Sequence, residues 1–205
     1  MKKKKITIFL YNRLFDPLIQ SNFWLYIQDL LSDPHSPYVL YLITYEDVKF
    51  PLTNAQRTQL EIWEAQGLKW KPLTWHPGQG LLNKFRDITA GFFAVLALRL
   101  QGYRHIVTLA SVAGTFGYLY SLVLRTSLFL YQYEPHSEYA IDNRMWPVGS
   151  FQYRISNFLE RKSAHFAKVI ASGTRFMQER LKVEWQVKGH FVKIPTVANH
   201  TKFTY

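Results

Sequence analysis

Two hydrophobic rhythms alternate along the chain. Nearly continuous apolar runs at 5–11, 38–45, 105–110, 127–133, 168–172 and 191–195 have the length and the β-branched and aromatic content of buried strands. Between them lie segments in which apolar residues return every third or fourth position, the stripe of a helix with one covered face. These are 21–31, with Phe23, Trp24, Ile27, Leu30 and Leu31 inward, then 54–66, 81–99, 113–125, 150–166 and 174–183. The run 68–75 reads as a further strand, in which Lys69 and Lys71 alternate with apolar residues as on an edge. Local signals set the boundaries. Thr53 is a good N-cap, Gly67 and Gly102 are helix stops, and Gly173-Thr174 opens a helix. Segments 12–20 and 135–147 read as irregular. Strand and helix alternate with mostly short connections, which predicts a doubly wound α/β architecture: a mostly parallel sheet of about seven strands with helices on both faces.

Composition narrows the chemistry. The 205 residues contain no cysteine, which excludes disulfide frameworks, zinc–thiolate sites and thiol catalysis. The net charge is +11, and residues 144–205 hold eleven Lys or Arg against three Asp or Glu. Such an imbalance favours anionic partners, whether phosphates or an acidic membrane surface. Nucleic acid is not the expected partner, because the aromatics lie within apolar runs rather than beside the charge. The lysines at 2–5 precede an apolar run too short for a secretory signal, so they read as the basic lead-in to a first strand. Residues 106–124 carry no charge, but Ser111-Val112-Ala113-Gly114-Thr115 at their middle reads as a strand turning into a helix rather than a membrane span.

Several signatures are absent. The first strand leads into Tyr11-Asn12-Arg13-Leu14-Phe15-Asp16 with no Gly-x-Gly-x-x-Gly, and neither a Walker A loop nor a Gly-x-Ser-x-Gly elbow occurs. The seven histidines do not fall at metal-binding spacing, so no metal is expected. What stands out is 127–139, an aromatic-rich run that turns polar at Glu134-Pro135-His136-Ser137-Glu138. Pro135 biases Glu134 toward extended backbone and ends the strand. In open α/β sheets, ligands bind beyond the carboxyl ends of strands. A carboxylate, an imidazole and a hydroxyl therefore gather where chemistry would be.

Three features in order resemble the N-terminal half of a GT-B glycosyltransferase of the large retaining, GT4-like group. The first is Tyr133-Glu134-Pro135-His136-Ser137, similar to that group's acidic-Pro-His turn. The second is 158–179, similar to its helix–strand–helix segment. The third runs from Val192-Lys193-Ile194-Pro195 to Phe203, similar to its hinge but without the usual Asn-Gly after Pro195. This resemblance implies a single Rossmann-like domain over 1–197, with 198–205 opening the hinge and a C-terminal donor domain absent. The group's signature pair of glutamates eight positions apart is not found here.

The implied activity is the acceptor half of transfer from a nucleotide sugar to a glycan or lipid-linked acceptor, in cell-envelope polysaccharide or glycoconjugate synthesis. The nucleotide sugar is a substrate, held mostly by the missing domain, and no cofactor is implied. His136 would orient the donor sugar or the acceptor hydroxyl, with Glu134 or Glu138 steadying its ring. Asn12, Arg13, Asp16, Ser111 and Ser137 would line the site. The alternative is a Rossmann-like binding module without chemistry, for an anionic sugar, a lipid or a partner chain carrying the donor domain. The expected location is cytoplasmic, peripheral at the inner face of the membrane, with the basic surface of 154–182 toward anionic lipid.

Overall fold

The structure is a computed structural model that describes residues 3–78 and 80–195. The third motif of the resemblance runs on through 196–205, so the expected hinge lies outside the described residues. The domain predicted over 1–197 is built of two compact units, one within 3–103 and one over Arg104–Pro195. Among the described residues there are seven strands and eight helices.

The first unit runs β1 (Lys4–Phe9), α1 (Pro17–Asn22), α2 (Trp24–Ser32), β2 (Tyr38–Glu46), α3 (Asn54–Ala65), β3 (Lys69–Thr74) and α4 (Leu81–Leu100). Its strands lie in the order β3-β2-β1, and both pairings are parallel. In β2, Leu42, Ile43, Thr44 and Tyr45 are all buried. Successive strand residues point to opposite faces, so both faces of β2 are covered, as its continuous apolar run predicts. Thr53 and Gln56 cap α3 reciprocally, and Gly67 follows the helix with a φ of 102°. The alternating strand 68–75 is β3, with only part of its length covered.

The second unit runs β4 (His105–Leu109), α5 (Ser111–Leu124), β5 (Ser127–Tyr131), α6 (His136–Asp142), α7 (Phe151–Phe166), β6 (Val169–Ser172), α8 (Arg175–Val183) and β7 (His190–Lys193). Its order is β4-β5-β6-β7, again parallel throughout. Helix α5 lies unusually close to the strands beneath it. A Cβ at Gly114 would stand 2.6 Å from Leu130 Cδ1, and one at Gly117 would stand 2.6 Å from Thr108 Cγ2. Glycine at these two positions permits the close approach. Among the described residues no helix is long and apolar enough to cross a membrane, and the uncharged segment 106–124 is β4 turning into α5.

Two segments depart from the sequence reading. Within 12–20, expected to be irregular, α1 begins at Pro17. Asp16 accepts the Leu18 N–H at 2.8 Å as its N-cap, and the proline occupies the first turn. An Asp-Pro start is legible as a cap signal, but the apolar period begins only at Phe23 and masked it. The long loop 135–147 contains α6. Pro135 at its N-cap offers no side-chain cap. The groups that satisfy its first N–H donors come from distant parts of the sequence.

Candidate functional site

In the second unit the carboxyl ends of β4 and β5 are laced together by one hydroxyl. Beyond β4, Ala110 takes φ 66° and ψ 168°, backbone that only glycine adopts without strain, costing about 1–3 kcal/mol. The chain there leads into Ser111 at the start of α5. Ser111 Oγ donates to the Glu134 carbonyl at 2.6 Å and accepts from Gln132 Nε2 at 2.6 Å. It also accepts the backbone N–H of His136 at 3.2 Å. Ser111 thus supplies the cap that Pro135 cannot. Gln132 Nε2 reaches the same Glu134 carbonyl at 2.9 Å. Of the expected site residues, Ser111, Glu134 and His136 are therefore brought together through backbone atoms. The His136 ring lies near Tyr139, 6.3 Å away and nearly parallel, and edge-on to Trp146 at 5.4 Å.

The next turn of α6 is held by a buried carboxylate from α7. Glu160 accepts the Ser137 N–H at 3.1 and 3.3 Å and the Ser137 hydroxyl at 2.5 Å. Asn157 Nδ2 donates to Ser137 Oγ at 3.2 Å. A carboxylate at a helix N-terminus is well placed for the unsatisfied donors and the helix dipole. Burial nevertheless raises the Glu160 pKa to about 7. The Ser137 and His136 hydrogen bonds pull it down, and the nearby Glu138 adds to the rise. Glu138 itself pairs with Arg180 of α8, which also holds Glu184 at 2.9 Å. The Glu134 side chain is exposed. Ser137 is buried against Glu160.

Glu160 escaped the sequence reading, although its signal was present. Tyr153, Ser156, Asn157, Glu160, Ser163 and Ala164 recur at helical spacing on the covered side of α7. A lone acid in such a stripe marks a buried carboxylate that needs remote donors.

In the first unit, the residues expected at the end of β1 do local work. Asn12 Nδ2 donates to Asp16 Oδ2 at 3.3 Å, and its carbonyl accepts the Tyr45 N–H at 3.1 Å. Asp16 caps α1, and the Arg13 guanidinium lies 4.8 Å from the centre of the Phe50 ring. The conspicuous cluster lies elsewhere. Asp87 on α4 is 0% exposed. Its Oδ1 is 2.7 Å from His76 Nδ1, and its Oδ2 accepts the Tyr11 hydroxyl. Lys84 Nζ donates to that hydroxyl at 2.8 Å, and the Tyr45 hydroxyl donates to the Asp87 carbonyl at 2.6 Å. Burial, then the bond to Asp87 and its charge, push the Tyr11 pKa up. Burial lowers that of Lys84 against the pull of Asp87. Here too a signal existed: Asp87 falls in step with Ala94, Val95 and Leu98 on the covered face of α4.

Among the described residues, no group of three His, Asp or Glu stands where it could hold a metal ion. No family model and no curated protein matches the sequence. Solved structures do match. One is Phytolacca americana UGT2 complexed with UDP-2fluoro-glucose and pterostilbene: TM-score 0.63, 13% identity, 95% of this chain and 54% of that one. Another is a sucrose-phosphate synthase from Thermosynechococcus elongatus: TM-score 0.62, 14% identity, 98% of this chain and 50% of that one. A further structure of that synthase is matched at TM-score 0.57 and 14% identity over 96% of this chain and 91% of that one. The fold is that of a Rossmann-like GT-B half. Among the described residues seven parallel strands and eight helices make it, and the chain spans about half the length of the first two structures.

Proposed function

We propose that this chain is the acceptor-side half of a GT-B glycosyltransferase that moves a sugar from a nucleotide-sugar donor to a glycan or lipid-linked acceptor. Cell-envelope polysaccharide or glycoconjugate synthesis is the setting we assign to it. The observation that carries the reading is the junction of β4 and β5. A strained Ala110, the Ser111 hub and the first turn of α6 there fix the backbone of His136 at the carboxyl ends of two parallel strands. Strain of this kind is retained where the surroundings over-determine it, and it gathers at functional sites. The likeness to UGT2 complexed with UDP-2fluoro-glucose supports the reading. The resemblance of 127–205 to the GT4-like group supports the acceptor-side assignment. The donor nucleotide is assigned to a second Rossmann-like domain, without which this half is inactive.

The roles follow from the chemistry. Departure of a nucleoside diphosphate leaves positive charge at the anomeric carbon and negative charge on the phosphates. The acceptor hydroxyl must sit within about 3–3.5 Å of that carbon. On this reading His136 orients the donor sugar or that hydroxyl, with its backbone held by Ser111 and, one residue on, by Glu160 through Ser137. The test is release of nucleoside diphosphate by the full-length protein over a panel of UDP-, GDP- and dTDP-sugars and hydroxyl acceptors. His136→Ala is expected to lower turnover about 10²-fold, as loss of a positioned polar group does. A fully active variant would overturn the role of His136.

A second reading is favoured by one observation. Ser111, Ser137 and Glu138 are committed to protein partners, as in a binding module that holds an anionic sugar, a lipid or a partner chain without chemistry. No turnover by the full-length protein, with retained binding of those ligands, would select it. On either reading we assign the chain to the cytoplasmic face of a membrane. The outer side of α7 exposes Phe151 (70%) and Phe158 (57%), with Ile155 and Phe166 also exposed. Arg154, Arg161 and Lys162 are exposed beside them. Apolar side chains flanked by cations suit the interface of an anionic bilayer.

A further inference from the structure

Helices α2 and α3 turn faces of the same spacing toward each other. Leu25, Gln28, Asp29 and Ser32 of α2 stand at i, i+3, i+4 and i+7. Gln59, Ile62 and Trp63 of α3, with its C-cap Gln66, repeat that spacing. Between the two faces lies a cleft of about 370 Å³, within the size range of small-ligand sites. Trp63 forms part of its wall and packs inward on Trp24, with ring centres 4.2 Å apart. Packing alone would favour apolar side chains between two such helices, yet amides and a carboxylate stand here. Gln28 and Gln59 are half-buried. Among the described residues, nothing hydrogen-bonds to the side chains of Gln28, Asp29, Gln59 or Gln66. The Trp63 indole N–H is buried and likewise has no partner among them. Native interiors rarely leave a buried donor idle. The charge is distinctive too. On a chain of net charge +11, neither Lys nor Arg lines the cleft, and Asp29 is the charged group that does. The cleft involves the later parts of α2 and α3, which run on into the amino ends of β2 and β3. It therefore lies away from the carboxyl ends at which a parallel sheet binds its ligands.

We propose that the α2–α3 cleft is a binding site for a neutral oligosaccharide, separate from the strand ends at which transfer is placed. A sugar presents hydroxyls that donate and accept at once. A glutamine amide does the same, through its NH₂ group and its carbonyl, so each of Gln28, Gln59 and Gln66 can meet two neighbouring hydroxyls. Asp29 accepts a further hydroxyl proton. Leu25, Ile62 and the edge of Trp63 offer apolar surface to the C–H face of a sugar ring. A phosphate or a nucleotide would meet no cation here and one like charge, so the ligand is an uncharged glycan rather than a sugar nucleotide. The site binds and does no chemistry. It goes beyond the glycosyl-transfer reading and does not depend on it.

The test is titration of the full-length protein with maltohexaose, cellohexaose and chitohexaose, without nucleotide sugar, followed by calorimetry and by tryptophan emission. At least one of the three is expected to bind saturably at one site and to change the emission. No saturable binding of any of them up to about 10 mM would overturn the proposal. Replacing Gln28→Ala and Gln59→Ala together is expected to weaken binding about 10–30-fold, as loss of two neutral hydrogen bonds does. The thermal melt should stay unchanged, because neither side chain has a protein partner. Ile62→Trp, at a position 48% exposed and open to a larger side chain, is expected to fill the cleft and abolish binding. Undiminished binding by either folded variant would overturn the site. His136→Ala should bind the oligosaccharide as the wild type does, and UDP-glucose should not compete. Loss of binding in that variant, or competition by UDP-glucose, would put the oligosaccharide at the transfer site and overturn a separate one. The two readings fail separately. Binding without turnover of any nucleotide sugar removes the glycosyltransferase and keeps this site, and turnover without binding removes this site alone.

Discussion

Asp87 and Glu160 are both buried carboxylates on helices, and both hold a neighbouring segment in place, yet their neighbours make them different devices. Asp87 is met by an imidazole and a phenol, with an ammonium one bond further on, and its imidazole partner reaches solvent. Glu160 is met by a hydroxyl and a backbone amide, lies near a second acid, and has no cation among the groups that shift its pKa. With neutral donors only, desolvation dominates and its pKa rises to about 7. Burial alone therefore does not say what a carboxylate is for. The charge and exposure of the groups it touches do. One arrangement links a buried carboxylate to a partly exposed ring, and the other closes the start of a helix.

That contrast is open to direct attack. The largest effect is expected from Asp87→Asn. The amide cannot accept from both Tyr11 and His76 without turning an NH₂ group toward one of them, so the protein should lose about 3 kcal/mol in urea unfolding at pH 7. A loss below about 1 kcal/mol would mean that the cluster is loosely held and the contrast unfounded.

Glu160→Gln should do the opposite above neutrality. The folded Glu160 has a pKa of about 7 against an ordinary 4.5, so between these values the folded state binds more protons than the unfolded state. Its contribution to stability is fully present below pH 4.5 and is lost as pH rises through 7. The loss is on the order of 3 kcal/mol. The variant, with nothing to titrate there, should lack that slope and be the more stable protein at pH 8. Unfolding curves across the range decide it, and parallel curves for the two proteins would remove the burial argument.

A smaller effect separates strain from partnering at the β4–α5 turn. Ala110→Gly should relieve about 1–3 kcal/mol of backbone strain and give back about 0.5–1 kcal/mol in chain entropy. The net stabilisation of about 1 kcal/mol is measurable by thermal melts. A destabilised variant would mean that the turn is relaxed as it stands. Least affected in stability should be Phe158→Ser, within about 0.5 kcal/mol as for other exposed sites. Its binding to phosphatidylserine vesicles should fall several-fold, and unchanged vesicle binding would remove α7 as the membrane-facing helix.

Much of the architecture was legible because local patterns carry it. The runs at 38–45 and 127–133 had to be covered strands, and Lys69 and Lys71 marked the less covered β3. Thr53, Gly67 and Thr174 set helix limits through atoms within a few residues. The acid–Pro–His turn was legible too, as a place where a strand ends in polar groups. Hidden from such reading were α6 and the partners of both buried carboxylates, whose own place on a covered helical stripe was legible but passed over.

What the sequence by itself determined is therefore the succession of the strands and of every described helix but α1 and α6, the parallel α/β class and the position of one polar strand end. Periodicity, capping and the restriction before proline act over a few residues and leave their mark in order along the chain. Tertiary structure alone decided that Ser111 caps a helix 25 residues away, that Glu160 closes on Ser137, and that His76, Tyr11 and Lys84 converge on Asp87. A buried polar atom takes whichever partner the fold brings within about 3 Å, and sequence separation plays no part in that choice.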